Sequence, residues 1–152
     1  MRLSAESPYA FLQRSQFEDD DEDENEDDCK IMDVKNLDEI SAFITKDGSE
    51  IRELLAHRNS VIRNQSLAEA RLAAGAGTQE HFHPRAEEIY YITHGAGKIR
   101  IENETREVRA GDAIAIPPGQ KHKLWNTGGE PLRLLCCCAP AYEHGDTIIT
   151  ES

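Results

Sequence analysis

Long hydrophobic runs are missing from this 152-residue sequence. No segment approaches the roughly 18–20 apolar residues that a bilayer-spanning helix needs. The first 17 residues hold only one short apolar stretch, Tyr9 to Leu12, and an acidic run follows at once. That pattern fits neither a secretory leader nor a mitochondrial presequence, so a cytoplasmic location is the expectation. Basic charge is also scarce, with 17 Lys and Arg against 29 Asp and Glu, a formal net charge of −12. A nucleic-acid partner or an anionic membrane surface requires concentrated positive charge, and neither is expected here. Cysteine is limited to Cys29, Cys136, Cys137 and Cys138. Neighbours on a strand point to opposite faces, so three consecutive cysteines make an awkward disulfide framework. This usage suits a reducing compartment. We read Cys136 to Cys138 as small apolar side chains of a buried strand rather than as a soft-metal site, since free cysteine is among the most buried residue types. Cys29 reads as an exposed thiol.

The charge that is present is unevenly placed. Residues 1–30 carry 11 acids and 3 bases, and residues 18–28 read EDDDEDENEDD. Such a run repels itself and buries nothing, so residues 1–30 are expected to form a disordered acidic tail. The preceding SPYAFLQRSQF reads as a terminus without fixed structure, with a short docking motif as the alternative. Residues 31–152 suit a single domain, large enough to form a core without disulfides.

Within that domain, residues 31–34 read as a short strand and residues 36–45 as a short helical turn. Asp47 with Glu50 three residues on forms a capping-box pattern. It predicts a helix running to about His57 and burying Ile51, Leu54 and Leu55. Beyond it the pattern is β. Short apolar runs at 65–73, 78–83, 88–93, 98–102, 105–109, 113–116, 122–126 and 131–139 alternate with Gly, Pro and Asn turns. About eight strands at this spacing predict an all-β sandwich or barrel, with residues 142–152 adding a last strand or arm.

Imidazoles and carboxylates fall among these strands. His81 and His83 are two apart, so a strand points both to one face. Glu88 opens the next strand, and His122 lies in a later one. Converging inside a barrel, this set suits a borderline divalent metal such as Fe, Mn, Ni, Cu or Zn. Alternation from Glu88 also turns Tyr90 and Ile92 inward and Glu87 and Tyr91 outward. Leu124 faces in with His122, and Trp125 faces away. His57, His94 and His144 read as surface or helix-end residues.

The spacing of these residues resembles a known family. Gly75, five residues, His81-x-His83, four residues, Glu88, six residues and Gly95 resemble the first cupin motif. Gly111, five residues, Pro117-x-Gly119, two residues, His122, three residues and Asn126 resemble the second. The resemblance covers about residues 65–140 and implies a double-stranded β-helix, the cupin jelly-roll barrel. It implies that His81, His83, Glu88 and His122 hold one divalent transition metal, with Fe or Mn favoured. Glu87 is the rival for the carboxylate, and Glu88 is chosen because six residues separate it from Gly95. The substrate pocket is expected to include Tyr90, Ile92 and Leu124. The resemblance further implies a small-molecule metalloenzyme, dioxygenase-like in the first reading, and a homodimer paired through its sheets. The alternatives are a metal-dependent sugar or sugar-phosphate isomerase and a non-catalytic ligand-binding or regulatory domain. An isomerase of that kind would turn cations inward, for which Lys98, Arg100, Arg106, Lys121 and Arg133 are the candidates.

Overall fold

The structure is a computed structural model that describes residues 32–151. The acidic tail, the SPYAFLQRSQF segment and Cys29 lie outside the described residues. Among the described residues, eleven strands form two antiparallel sheets. They are β1 (Phe43–Ile44), β2 (Glu50–Leu55), β3 (Ser66–Leu72), β4 (His81–Phe82), β5 (Glu87–His94), β6 (Ala96–Ile101), β7 (Glu104–Arg109), β8 (Ala113–Ile116), β9 (His122–Asn126), β10 (Leu132–Ala139) and β11 (Ile148–Ile149). One sheet has the order β1-β2-β3-β10-β5-β8 and the other β11-β4-β9-β6-β7. This is the expected all-β jelly roll.

Burial follows the period of two that a sheet imposes. In β5, Glu88, Tyr90 and Ile92 are buried, whereas Glu87, Ile89 and Tyr91 are exposed. In β9, His122, Leu124 and Asn126 are buried. The inward faces meet in one core that includes Leu72, Ile92, Ile99, Leu124, Leu132 and Leu134. Asn126 ties the ends of the sheets together, donating from Nδ2 to the carbonyls of Leu72 at 3.1 Å and Glu130 at 2.8 Å.

Three early elements differ from expectation. Residues 32–34 form no strand, and the backbone N–H of Val61 donates to Asp33 Oδ2 at 2.7 Å instead. The turn predicted over 36–45 shrinks to a single 3-10 turn, Leu37–Glu39, capped by Asn36, and β1 follows. The helix predicted from Asp47 is strand β2, paired antiparallel with β3. Asp47-Gly48 is a hairpin turn, with Gly48 at φ 88° and Thr45 N bonded to Ser49 O at 3.1 Å. An Asp-Gly pair is a strong hairpin signal because φ > 0 costs glycine nothing. Pairing with β3 then outweighs the helix-forming tendency of EIRELL. The expected last strand is β11, which pairs with β4.

Strand β6 crosses β9 closely at Gly97. A Cβ there would lie 2.5 Å from the Trp125 carbonyl oxygen and 2.9 Å from Leu132 Cδ2. Gly97→Ala is therefore expected to cost about 1–3 kcal/mol of stability, as overpacking does. Gly129 is the control, because a Cβ there would meet nothing within 4 Å. Urea denaturation of Gly97→Ala and Gly129→Ala checks this, and equal midpoints would remove the claim.

Candidate metal centre

Strand β4 is short because Pro84 follows it closely, yet it brings His81 opposite His122 at the start of β9. His83 lies one residue past β4, and Glu88 is the first buried residue of β5. All four side chains are buried, between 1% and 5% exposed. One ligating atom from each can be chosen so that all lie within 4.8 Å of one another. Glu87 is exposed and takes no part in the cluster.

The three imidazoles share one arrangement. His81 Nδ1 lies 2.8 Å from the Gln79 carbonyl, His122 Nδ1 lies 3.0 Å from that of Gln120, and His83 Nδ1 lies 3.2 Å from that of Asp146. A carbonyl only accepts, so each Nδ1 carries the proton and each neutral ring turns the Nε2 lone pair toward the cluster. Glu88 Oε2 lies 3.3 Å from His83 Nε2 and 3.4 Å from His122 Nε2. With both rings neutral, these contacts set lone pair against lone pair. Glu88 Oε2 and His122 Nε2 are accordingly buried without a hydrogen-bond partner.

A cation resolves this conflict. Metal–ligand bonds of about 2.0–2.2 Å place neighbouring donors roughly 3 Å apart and opposed donors just over 4 Å apart. The observed separations accommodate that set. The donor chemistry, three imidazole nitrogens and one carboxylate, suits a first-row divalent ion. In the metal-free protein the same crowding shifts the titration of the groups. Burial acts to raise the Glu88 carboxyl. Without a metal, a proton on Nε2 of His122 or His83 can take the cation's place, and those rings then outweigh burial and hold the Glu88 carboxyl below the usual carboxylate range. Burial acts to lower His83, and Glu88 outweighs it, leaving His83 raised. His81 is lowered, first by burial and then by His122.

Two supports of the centre were not legible as such in the sequence. The Cys138 thiol donates to Glu88 Oε1 at 3.4 Å, leaving Oε2 to face the imidazoles. Strand β10 turns Leu134, Cys136 and Cys138 inward, so Cys136 and Cys138 line the site's cleft rather than only filling a core. The second support is the C-terminal arm. Besides the Asp146 carbonyl on His83, the Asp146 carboxylate accepts from Arg85 Nε at 3.1 Å and from the Ala86 N–H at 3.1 Å. It thereby pins the turn between His83 and Glu88.

The cleft beside the four residues holds about 670 Å³ of space, its open mouth included. Its walls include Ala70, Leu72, Tyr90, Leu124 and Leu134, while the β1–β2 hairpin contributes Asp47. Tyr90 and Leu124 thus line the cleft. Ile92 is buried in the core and is not among the lining residues. No Lys or Arg lines the cleft among the described residues. Lys98 and Arg100 stand over Trp125 on the outer face, Arg106 pairs with Glu104, and Lys121 and Arg133 are exposed. His94 and His144 are exposed, and His57 Nε2 lies 3.2 Å from Glu143.

Comparison with known proteins gives a consistent frame. The family model described as "Cupin domain" matches residues 68–138. An uncharacterised protein of Methanocaldococcus jannaschii is 50% identical over 114 residues, 75% of this chain and 91% of that one. The polyketide synthase protein CurC of Streptomyces cyaneus is 27% identical over 111 residues, 73% of this chain and 70% of its own length. Among solved structures, the polyketide cyclase RemF of Streptomyces resistomycificus shares the fold with a TM-score of 0.69 at 22% identity. That match covers 80% of this chain and 87% of RemF.

The Asp146 clamp has a pH signature. Burial acts to raise its carboxyl, and the Arg85 guanidinium with the Ala86 and Arg85 N–H groups outweighs that, leaving it lowered. A lowered carboxyl stabilises the fold fully above its unfolded value of about 3.9. The contribution is lost as pH falls through the lowered value. In chelator-treated protein, Asp146→Asn is expected to cost about 1–2 kcal/mol at neutral pH. The gap from wild type should close in strong acid. A gap independent of pH in thermal melts would contradict the charged clamp.

Proposed function

The chain belongs to the cupin family, and we propose that it is a mononuclear metalloenzyme holding one divalent metal through His81, His83, Glu88 and His122. Oxidation of a small chelating molecule, dioxygenase-like, is the leading activity. The observation that carries this reading is that Glu88 Oε2 and His122 Nε2, both buried without a hydrogen-bond partner, face each other at 3.4 Å beside a cleft whose walls are largely apolar. Buried polar groups are rarely left without partners unless a bound species supplies one.

The chain's own residues have definable roles in this reading. Backbone carbonyls fix the three imidazole tautomers, as outer hydrogen bonds do around metal sites generally. Glu88 offsets one of the two positive charges. Four protein ligands leave one or two coordination positions for an exogenous molecule. Tyr90, Leu124 and Leu134 exclude bulk water from that molecule's flank and strengthen polar contacts inside. When bound, the metal supplies Lewis acidity and, if it is iron or manganese, redox capacity.

The sugar-phosphate isomerase reading is less well supported, because that substrate wants inward cations and the described lining residues include none. Two similar proteins, CurC and RemF, are named for polyketide synthesis and cyclisation, which supports catalysis over a purely regulatory role. We also propose a homodimer through the outer face of the six-stranded sheet. Ile89 and Tyr91 there are 49% and 44% exposed.

Elemental analysis of protein purified without chelators is expected to find about one equivalent of a transition metal, and none in His122→Ala or His83→Ala. Iron-loaded protein is then expected to consume O₂ with a diketone, catechol or thiol. Protein that refuses added Fe, Mn, Ni and Zn would overturn the metal centre. Metal binding without turnover across that panel would favour a ligand-binding role. Sedimentation velocity at micromolar protein is expected to show a dimer, and a monomer there would remove that part of the proposal.

A further inference from the structure

One carboxylate facing the cleft has no assignment so far. Asp47 lies on the β1–β2 hairpin, outside the matched residues 68–138. It is 7% exposed. Its Oδ1 accepts from Thr45 Oγ1 at 2.6 Å, Ser49 Oγ at 2.7 Å and Ser49 N at 3.1 Å. The turn is itself anchored, since Gln79 N donates to the Asp47 carbonyl at 2.7 Å and Lys46 Nζ to the His144 carbonyl at 2.8 Å. The carboxylate therefore cannot swing out. Its other oxygen, Oδ2, lies 4.0 Å from His81 Nε2. That nitrogen carries no proton when Nδ1 donates to Gln79, so it gives Oδ2 no hydrogen bond. An acceptor is left over at the edge of the ligand cluster, within the cleft.

The local charge gives this acceptor its consequence. Glu53 also lines the cleft, but Arg58 neutralises it with bonds of 2.9 and 2.7 Å. What remains is a divalent cation, Glu88 and Asp47, which sum to zero. A neutral ligand with a hydroxyl or N–H beside its chelating oxygens would satisfy Oδ2 as well as the metal. A dianion would add two negative charges next to a carboxylate and leave Oδ2 without a donor.

We infer that Asp47 is a specificity-determining residue: it accepts a hydrogen bond from a neutral, oxygen-chelating ligand and discriminates against small dianions. The inference rests on the metal-centre reading above and deepens it.

Two small bidentate probes test it: acetohydroxamic acid, which enters neutral, chelates as a monoanion with its proton lost to buffer and keeps an N–H donor, and oxalate, a dianion with no donor. Each is titrated calorimetrically into Ni(II)-loaded full-length protein, and metal content is measured after every titration. Asp47→Asn is expected to move the affinity ratio toward oxalate by roughly tenfold or more, from the loss of one charge at short range. Glu50→Gln removes the same charge from the same hairpin but away from the cleft lining. It is expected to leave the ratio within about twofold, as surface charges do. Circular dichroism confirms folding, and if Asp47→Asn is misfolded, Asp47→Ser carries the same expectation. An unchanged ratio in a folded, nickel-retaining Asp47 variant would overturn the inference and spare the metal centre. Wild-type protein that retains none of Ni, Fe, Mn and Zn would overturn both; where nickel alone is refused, the titrations use the metal that is retained.

Discussion

A carboxylate removed from water must find positive charge or hydrogen-bond donors, or it does not stay ionised. Glu88 is such a group. One oxygen receives a weak thiol donor from Cys138, and the other faces two imidazole nitrogens whose protons are committed elsewhere. Protonating a ring to satisfy Glu88 would place a charge in the same buried space. Binding a cation satisfies the carboxylate and all three rings together. The arrangement of strands around this point follows from the need to bring four such groups to one place from three separate strands and a turn.

The barrel core alone does not complete that task. Strands β5 and β9 supply two of the groups from rigid, well-packed positions. The His81–His83 segment is a strand of only two residues followed by proline, and it depends on outside support. The C-terminal arm provides it by pairing β11 with β4 and by placing Asp146 against both His83 and the following turn. On the other side, the β1–β2 hairpin closes one wall of the cleft. Core strands thus position the ligating atoms, while the flanking segments fix their orientation and shape the space beside them.

The sequence revealed the parts governed by strict periods and turns. Alternation from Glu88 placed Tyr90 inward and Glu87 outward, and the glycines and prolines around His122 marked its strand. The β-rich pattern from residue 65 onward was equally readable. What escaped was set by distant contacts. EIRELL carries a helical capping pattern, and only its pairing with β3 makes it a strand. The Asp47-Gly48 dipeptide was a local signal for that hairpin, and the capping-box pattern obscured it. Alternation from Glu88 also turned Ile92 correctly inward, but alternation gives a face and not a depth. Ile92 lies in the core and misses the cleft. Cys138 looked like core filling because nothing local shows that it sits opposite Glu88 in the β10–β5 ladder.

All three imidazoles are oriented by main-chain carbonyls, those of Gln79, Gln120 and Asp146. Every amino acid carries such a carbonyl. Point substitution at residues 79 and 120 can therefore change the side chain without deleting the acceptor. At 146 the carbonyl likewise persists, although the side chain has a separate clamping duty. The outer layer of the centre is thus buffered against mutational drift and fails only when the backbone itself is displaced. A substitution scan would find His81, His83, Glu88 and His122 intolerant and residues 79 and 120 permissive, though both orient rings of the same cluster.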